Sequence, residues 1–178
     1  MIYLSEVRKS PEGLAFNEAP SLLESIKERY DQVLNLEQLQ ASGQVVYDNG
    51  LYLLDYQLSY DITLPSSRSL EPATLGFNYL VSETFIQEAD AALQKELVEE
   101  NLVLILDGDT INLDESILDN ILLNIPLRVL TPEEKSGQIS LSGKDWEVLS
   151  EEDFAALKQG EKEASNPFAQ LNGLFDDN

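Results

Sequence analysis

The chain has 178 residues, with 33 acidic and 11 basic side chains, a net charge of −22, and neither cysteine nor histidine. The missing cysteine excludes disulfides and thiolate chemistry, and the missing histidine removes the commonest general base and metal ligand. An apolar content of 43% predicts one globular domain with a modest tail or small subdomain. The N-terminus lacks the pattern of a secretory signal, and no run reaches the ~18 apolar residues of a membrane helix, so we expect a cytoplasmic protein.

The acidic charge bears on the kind of partner. It repels phosphate backbones at long range, which makes direct contact with nucleic acid unfavourable, and it attracts basic proteins. Residues 90–178 carry a net charge of −14, against −8 for residues 1–89, so the second half is the better candidate for meeting a basic surface. Solubility alone explains the same charge equally well.

The first predicted helix spans residues 20–30, where Ser21 and Glu24 have the spacing of a capping box. An irregular segment, residues 31–40, is expected to follow. Residues 44–47 are predicted to form a short strand.

The Asn49-Gly50 pair then predicts a tight hairpin turn, because both central residues of such a turn need positive φ. Residues 51–64 alternate between apolar or aromatic side chains and polar ones, which is typical of a long, half-buried antiparallel strand. Pro65 ends this strand, and residues 66–72 are expected to form a turn.

A second alternating strand is predicted for residues 74–85, with Leu75, Phe77 and Tyr79 on its apolar face. An aromatic surface that stacks nucleic-acid bases is normally flanked by Lys and Arg, whereas acids flank this one. The aromatic side chains are therefore expected to form core.

In the second half, Asn112 and Glu115 have capping spacing before an apolar helical repeat that stops at Pro126. The predicted elements, in order, are a helix at 88–100, a strand at 102–106, a turn at 107–109, a helix at 112–125, a long polar loop at 131–144, a short helix ending near 158, a linker at 159–166 and a short docking helix at 166–175.

Together these elements predict an α+β fold built on an antiparallel sheet with long central strands. Helices are expected to pack on one face of the sheet, and the C-terminal third is expected to wrap loosely. The predicted organisation is an α+β core domain at residues 1–128, followed by a C-terminal loop region with short docking helices at residues 129–178.

No motif predicts a catalytic, cofactor or metal site. Asp107, Asp109, Asn112 and Asp114 superficially resemble a calcium-binding loop. Such a loop has ligands at alternate positions over twelve residues and ends in a bidentate glutamate. Leu113 and Ile117 lie where the following helix must be buried, so the match fails. Neighbouring carboxylates elsewhere are explained by solvated helix faces, and phosphate-binding and nucleophile motifs are absent. A non-enzymatic protein is therefore expected.

An ordered set of motifs resembles the YceD family. The family typically has a long strand ending in Leu-Pro, a Cys-x-Arg-Cys-Leu-Glu-Pro-type motif, a Glu-x-Phe-type strand end, an Asx-Leu-x-Glu helix and an Asp-Pro-type closing segment. The matching residues are Leu64-Pro65-Ser66-Ser67-Arg68-Ser69-Leu70-Glu71-Pro72, Glu83-Thr84-Phe85, Asn112-Leu113-Asp114-Glu115 through Leu122 to Pro126, and Asn166-Pro167 with Leu171 and Leu174. The resemblance spans roughly residues 40–175.

The chain departs from the family pattern at the cysteines. Ser66 and Ser69 stand where many members have a cysteine pair, and residues 131–137 lack the further cysteines found there. Any metal site of such relatives is therefore absent here. Arg68 keeps its place, and a structural ion pair with a nearby carboxylate, for example that of Glu71, is expected.

The resemblance implies a role in the accumulation or processing of large-subunit ribosomal RNA, next to a small, basic, zinc-ribbon-type ribosomal protein in the genome. The leading hypothesis is an accessory factor that binds a basic ribosomal protein without a cofactor, with partner-binding candidates Arg68, Glu71, Glu133 and Glu134. A direct rRNA-binding or rRNA-processing factor remains an alternative, with magnesium held by carboxylates such as Asp107, Asp109 and Asp114. A small-molecule-binding domain is a third possibility.

Overall fold

A computed structural model describes residues 1–92, 94–100 and 102–136 of the chain, together with the backbone of two short strands at 141–143 and 146–148. Residues 1–129 form one compact unit, and the chain from Leu130 onward belongs to a second unit. The first unit contains a five-stranded sheet and the helices that cover it.

The strands of the first unit differ greatly in length, from two residues to sixteen. In chain order they are β1 (Ile2–Tyr3), β2 (Leu14–Glu18), β3 (Asn35–Asp48), β4 (Leu51–Pro65), β5 (Pro72–Gln87), β6 (Leu104–Leu106) and β7 (Thr110–Ile111). The large sheet has the order β2-β3-β4-β5-β6, and β1 pairs separately with β7. The antiparallel α+β architecture expected from the sequence is confirmed.

The strands β3, β4 and β5 form an antiparallel meander at the centre of the sheet. Asn49 and Gly50 both have positive φ, 48° and 89°, as the predicted tight turn between β3 and β4 requires. The prediction of an irregular segment at residues 31–40 is wrong for its second half, because β3 already begins at Asn35. A register shift between Glu37 and Gln40 breaks the alternation there, which hid the strand in the sequence.

One face of the sheet is buried along the whole length of β4. Its even-numbered residues are all buried and include three tyrosines at the centre of the core, and they are Tyr52, Leu54, Tyr56, Leu58, Tyr60, Ile62 and Leu64. Gly43 of β3 lies on this face and lets the Phe16 ring approach that of Tyr56, with 6.0 Å between ring centroids. Any Cβ at Gly43 would lie 2.1 Å from the Asp55 carbonyl oxygen, so the close approach needs glycine.

The helices of the first unit are α1 (Leu4–Lys9), α2 (Leu23–Arg29), α3 (Glu88–Ala91), α4 (Lys95–Glu99) and α5 (Leu113–Leu123). The Asn112 side chain accepts a hydrogen bond from the Glu115 backbone N–H, which confirms the predicted cap of α5. The capping box predicted at Ser21 and Glu24 is wrong, because α2 is preceded by Leu22 and has no side-chain cap.

The helices α1, α2 and α5 contribute to the core on the buried face through Leu4, Val7, Ile26, Ile117 and Ile121. Arg29 of α2 joins α2 to α5 by ion pairs with Glu115 and Asp119, at 2.6 and 2.7 Å. Its hydrogen bond to Glu115 raises the pKa of the guanidinium.

The N-terminal segment, for which the sequence made no prediction, is fastened to the sheet. Ile2 and Tyr3 pair with residues 110–111, and Arg8 Nε donates a 2.6 Å hydrogen bond to the Tyr52 hydroxyl. The same guanidinium lies over the rings of Tyr47 and Tyr52, 5.3 and 5.6 Å from their centroids. Tyr47 and Tyr52 lie about forty residues from Arg8 along the chain, and Gln87, whose side-chain oxygen also accepts a hydrogen bond from Arg8, lies 79 residues away. These contacts are beyond the reach of local sequence patterns.

The connection from β5 to β6 makes the sheet mixed. The helix predicted at residues 88–100 is divided into α3 and α4, and the chain then returns as β6, which pairs parallel to the end of β5. Ile86 lies near this crossover and is fully buried.

In the second unit, α6 (Pro132–Lys135) precedes the hairpin of β8 (Leu141–Gly143) and β9 (Trp146–Val148). The loop predicted for residues 131–144 therefore contains regular structure. The predicted short helix ending near residue 158 and the docking helix at 166–175 lie outside the described residues. Within the described part of the chain, the helices are all too short and insufficiently apolar to cross a membrane.

Candidate functional site

The turn between β4 and β5 carries residues 66–71, the Ser-Ser-Arg-Ser-Leu-Glu part of the motif set. Ser66 is fully buried, and its hydroxyl oxygen accepts hydrogen bonds from the backbone N–H groups of Arg68 and Ser69, at 3.0 and 3.3 Å. Ser67 exchanges backbone and side-chain hydrogen bonds with Val129. Ser66 and Ser67 therefore stabilise the conformation of the turn by hydrogen bonds, and this structural role does not depend on a cysteine at the position of Ser66.

The proposed contact residues Arg68 and Glu71 both lie in this turn. Arg68 is half-buried and Glu71 is exposed. The two ion pairs between described residues are both formed by Arg29, so the particular pairing of Arg68 with Glu71 is not formed. Leu70, between them, has a positive φ of 64° and is 76% exposed, an unusual conformation for a leucine.

The other proposed contact residues, Glu133 and Glu134, lie in α6 of the second unit. Glu133 is exposed, whereas Glu134 is buried with 4% of its surface accessible. Glu134 accepts a 2.8 Å hydrogen bond from the Thr131 backbone N–H and completes a capping box with it. The geometry gives Glu134 a structural role at the start of α6.

A partly buried polar network joins β4 and β5 to α5, and it explains the glutamate of the Glu-x-Phe motif. Glu83 accepts hydrogen bonds from the Ser116 hydroxyl and the Asn120 amide, both at 2.7 Å. Because Ser116 has one proton and donates it to Glu83, Tyr56 donates its own hydroxyl proton to Ser116 Oγ at 2.9 Å. The Glu83 carboxylate thus fastens the helix to the sheet.

The network continues along the helix to a second tyrosine pair. Tyr79 donates to the Asn120 carbonyl oxygen at 3.0 Å, and Tyr60 lies 3.4 Å from the Tyr79 hydroxyl. Burial raises the pKa of Tyr56 and of Tyr60 well above the usual tyrosine range. These phenols therefore stay protonated at neutral pH and serve as hydrogen-bond donors within the core.

The carboxylates named for the magnesium alternative do not converge. Asp109 accepts a 3.2 Å hydrogen bond from the Gln87 amide, and Asp114 is exposed in the first turn of α5. In residues 1–136, so far as they are described, no group of three or more acidic side chains is placed to hold a metal ion. The structure gives the magnesium alternative no support.

The second face of the large sheet is polar and mainly accessible; we call it the open face. It is defined by the side chains of Glu37 on β3, Asp55, Gln57, Ser59 and Asp61 on β4, and Asn78, Leu80 and Ser82 on β5. Cross-strand hydrogen bonds join Asp55 to Ser82 and Gln57 to Asn78. The five described strands β2–β6 contain no Lys, Arg or His, so no strand residue neutralises the acids of this face.

A small recess of about 270 Å³ lies in the open face beside the register shift of β3. Gln38, in the left-handed region with φ 52°, forms its edge together with Ser59 and Asn78. Asp61 faces Gly76 across the strand pair, and the missing side chain of Gly76 leaves the space. The alternation of residues 51–64 predicts Asp55 and Asp61 on the same polar side of the strand, but no motif assigns them a role.

These features define the class of fold: an α+β protein with one face of its large sheet covered by helices and the other face polar and acidic. The first of the sequence comparisons identifies the family. Residues 54–175 match the family described as "Large ribosomal RNA subunit accumulation protein YceD", and the chain belongs to this family. The match includes the serine turn, Glu83 and α5, so the resemblance seen in the sequence is confirmed.

A relative in Bacillus subtilis (strain 168), the "Uncharacterized protein YlbN", is 28% identical over 143 residues. The aligned region covers 80% of this chain and 80% of the relative. No solved structure matches the chain significantly.

Proposed function

We propose that the chain is a non-enzymatic cytoplasmic accessory factor in large ribosomal subunit biogenesis, and that it acts by binding a basic ribosomal protein. The observation that carries the proposal is membership of a family described by large-subunit ribosomal RNA accumulation. The net charge of −22 supports a basic partner, because opposite charge speeds encounter and like charge suppresses binding to RNA.

The structure is in keeping with a binding role. The paired aromatic rings of Tyr60 and Phe77, 5.0 Å apart, lie on the face of the sheet that carries the core, where they are not arranged as a platform for bases. The described carboxylates do not form a metal cluster for hydrolytic chemistry. Shielding or delivery of a basic protein needs neither feature.

Depletion of the protein in its host tests the biological role. Sucrose-gradient profiles should show a reduced large-subunit peak and a lower ratio of large-subunit to small-subunit rRNA, restored by the wild-type chain. Normal large-subunit levels after depletion would overturn the role.

A binding experiment tests the partner. The immobilised chain is incubated with proteins extracted from salt-washed large ribosomal subunits of Bacillus subtilis, and bound proteins are identified by mass spectrometry. We expect enrichment of a basic ribosomal protein at low salt and its progressive loss as salt rises, since screening weakens surface charge interactions. Binding of rRNA fragments at physiological salt, with a steep salt dependence and no protein enrichment, would instead establish the direct RNA alternative.

A further inference from the structure

We propose that the open face is the docking surface and that its occupant is an extended, lysine- or arginine-rich segment of the protein partner. This proposal rests on the proposed function for the basic character of the partner, and adds the place where the partner binds. It assigns roles to Asp55, Asp61 and Leu80, which no motif singled out.

Charge complementarity is the first observation that supports a basic occupant. Glu37, Asp55 and Asp61 lie on the open face, and the described strands contain no cationic residue to pair with them. The cations of the first unit lie elsewhere, in α1, α2, α4, the 66–71 turn and the segment before Val129. Among the described side chains, Asp61 has neither a hydrogen-bond nor an ion-pair partner, so a cation of the partner meets an acceptor that is already free.

The spacing along β4 suits an extended chain. Asp55 and Asp61 are six residues apart on one strand and point the same way, which separates them by about 20 Å. An extended segment running along the strand passes both carboxylates and places two of its own cations at a similar separation. A helix or a compact loop does not match this spacing so directly.

Leu80 supplies an apolar contact between the two acids. It lies opposite Gln57 on the open face and is 77% exposed, although its neighbours on that face are polar. Binding surfaces commonly combine a central apolar or aromatic contact with a polar rim. The open face has this arrangement, with Leu80 at the centre and the acids at the ends.

The recess beside Asp61 fits one long side chain of the occupant. Its volume of about 270 Å³ is below the range of about 300–1,000 Å³ that small-molecule sites usually have. Its polar edge, formed by Gln38, Ser59 and Asn78, offers acceptors for an ammonium or guanidinium group whose charge meets Asp61.

The test compares two double variants that remove the same charge. D55N/D61N changes the open face, and D31N/D114N changes two exposed acids outside the sheet. The probes are a dodecapeptide of alternating Lys and Ser and the basic large-subunit proteins retained by the wild-type chain. We expect D55N/D61N to weaken binding about five- to tenfold, as two exposed ion pairs allow, and D31N/D114N by less than about twofold.

Two further measurements are independent of net charge. L80S should weaken binding of the ribosomal protein and Gly76→Ala should weaken it by filling the recess, while circular dichroism shows both variants folded. Zero-length carbodiimide crosslinking of the lysine peptide should map to Asp55, Asp61 and Glu37.

The outcomes separate the two proposals. If the wild-type chain retains a basic ribosomal protein but both double variants bind it equally, the docking surface is overturned and the proposed function stands. Crosslinks confined to the acids of residues 151–178 would also overturn the surface. If the wild-type chain retains no large-subunit protein, the partner part of the proposed function fails, whatever the lysine peptide shows.

Discussion

The two faces of the large sheet are made by the same strands but obey different constraints. On the face beneath α5, β4 buries seven side chains in succession, and Glu83, Ser116 and Asn120 satisfy one another within the core. On the open face, the intervening residues of β4 from Asp55 to Thr63 are polar, and two of them are acids that the strands leave without a cation. The comparison teaches that side-chain identity sets stability on the buried face, whereas the open face contributes little to the core and carries the proposed docking surface.

Truncating an apolar residue on each face gives the largest expected contrast. Ile117→Ala removes a fully buried side chain of α5 and should lower the free energy of unfolding by about 2–5 kcal/mol. Leu80→Ala on the open face should change it by less than about 0.5 kcal/mol. Urea unfolding followed by circular dichroism measures both, and equal losses would show that Leu80 is covered in solution.

The second contrast compares the stability cost of replacing one glycine on each face of the sheet by alanine. The Cβ of Gly43→Ala meets the backbone of Asp55 and Tyr56, so β3 and β4 must separate, at a cost of about 1–3 kcal/mol or more. The Cβ of Gly76→Ala meets only the Asp61 carboxylate at 3.1 Å, and the change should lie within about 1 kcal/mol of the wild type. Similar unfolding midpoints for the two variants would contradict the close approach at Gly43.

The third contrast compares the removal of one acidic side chain from each face of the sheet. Glu83→Ala leaves the Ser116 and Asn120 donors without their acceptor and should cost about 1–3 kcal/mol. Asp61→Ala removes no hydrogen bond among the described residues and should cost less than about 0.5 kcal/mol. The amide exchange rates of α5 should rise in the first variant alone; unchanged rates would show that Glu83 does not hold the helix.

Alkaline pH probes the buried face without a mutation. The folded-state pKa values of Tyr56 and Tyr60 are raised by burial, so their contribution to stability is fully present below the tyrosine pKa of the unfolded chain, about 10. Above that pH the unfolded chain releases protons that the folded chain keeps, and stability falls by up to about 1.4 kcal/mol per pH unit for each tyrosine. Tyr60→Phe should flatten the decline between pH 10 and 11, and an unchanged slope would contradict this assignment.

Local patterns predicted the central strands and α5 because each has a short-range signal. The alternation of residues 51–64, the Asn49-Gly50 turn and the Asn112 cap are all read within a few neighbouring residues. The N-terminal helix and β2 were missed because their segments are short and partly exposed, and their pairing partners are distant.

The contacts of the candidate site were also hard to predict, because they join residues that are distant in the sequence. Glu83 finds its partners 33 and 37 residues further along the chain, which no spacing rule connects. Glu71, the carboxylate suggested as a partner for Arg68, does not pair with it, because closeness in sequence does not point two side chains at each other within a turn. The acids of β4 were visible as a polar alternation, but only the strand pairing shows that Glu37 lies beside Asp61 on the same face.

The pairing of β1 with β7 has a consequence for the order in which the chain folds. The meander of β3, β4 and β5 is built from neighbouring hairpins and closes only short loops, whereas Ile2 reaches Ile111 across more than a hundred residues. Contacts of long sequence separation form late, so we expect the N-terminal segment to be the last to close. During synthesis, β1 therefore has no partner strand until residue 111 has left the ribosome.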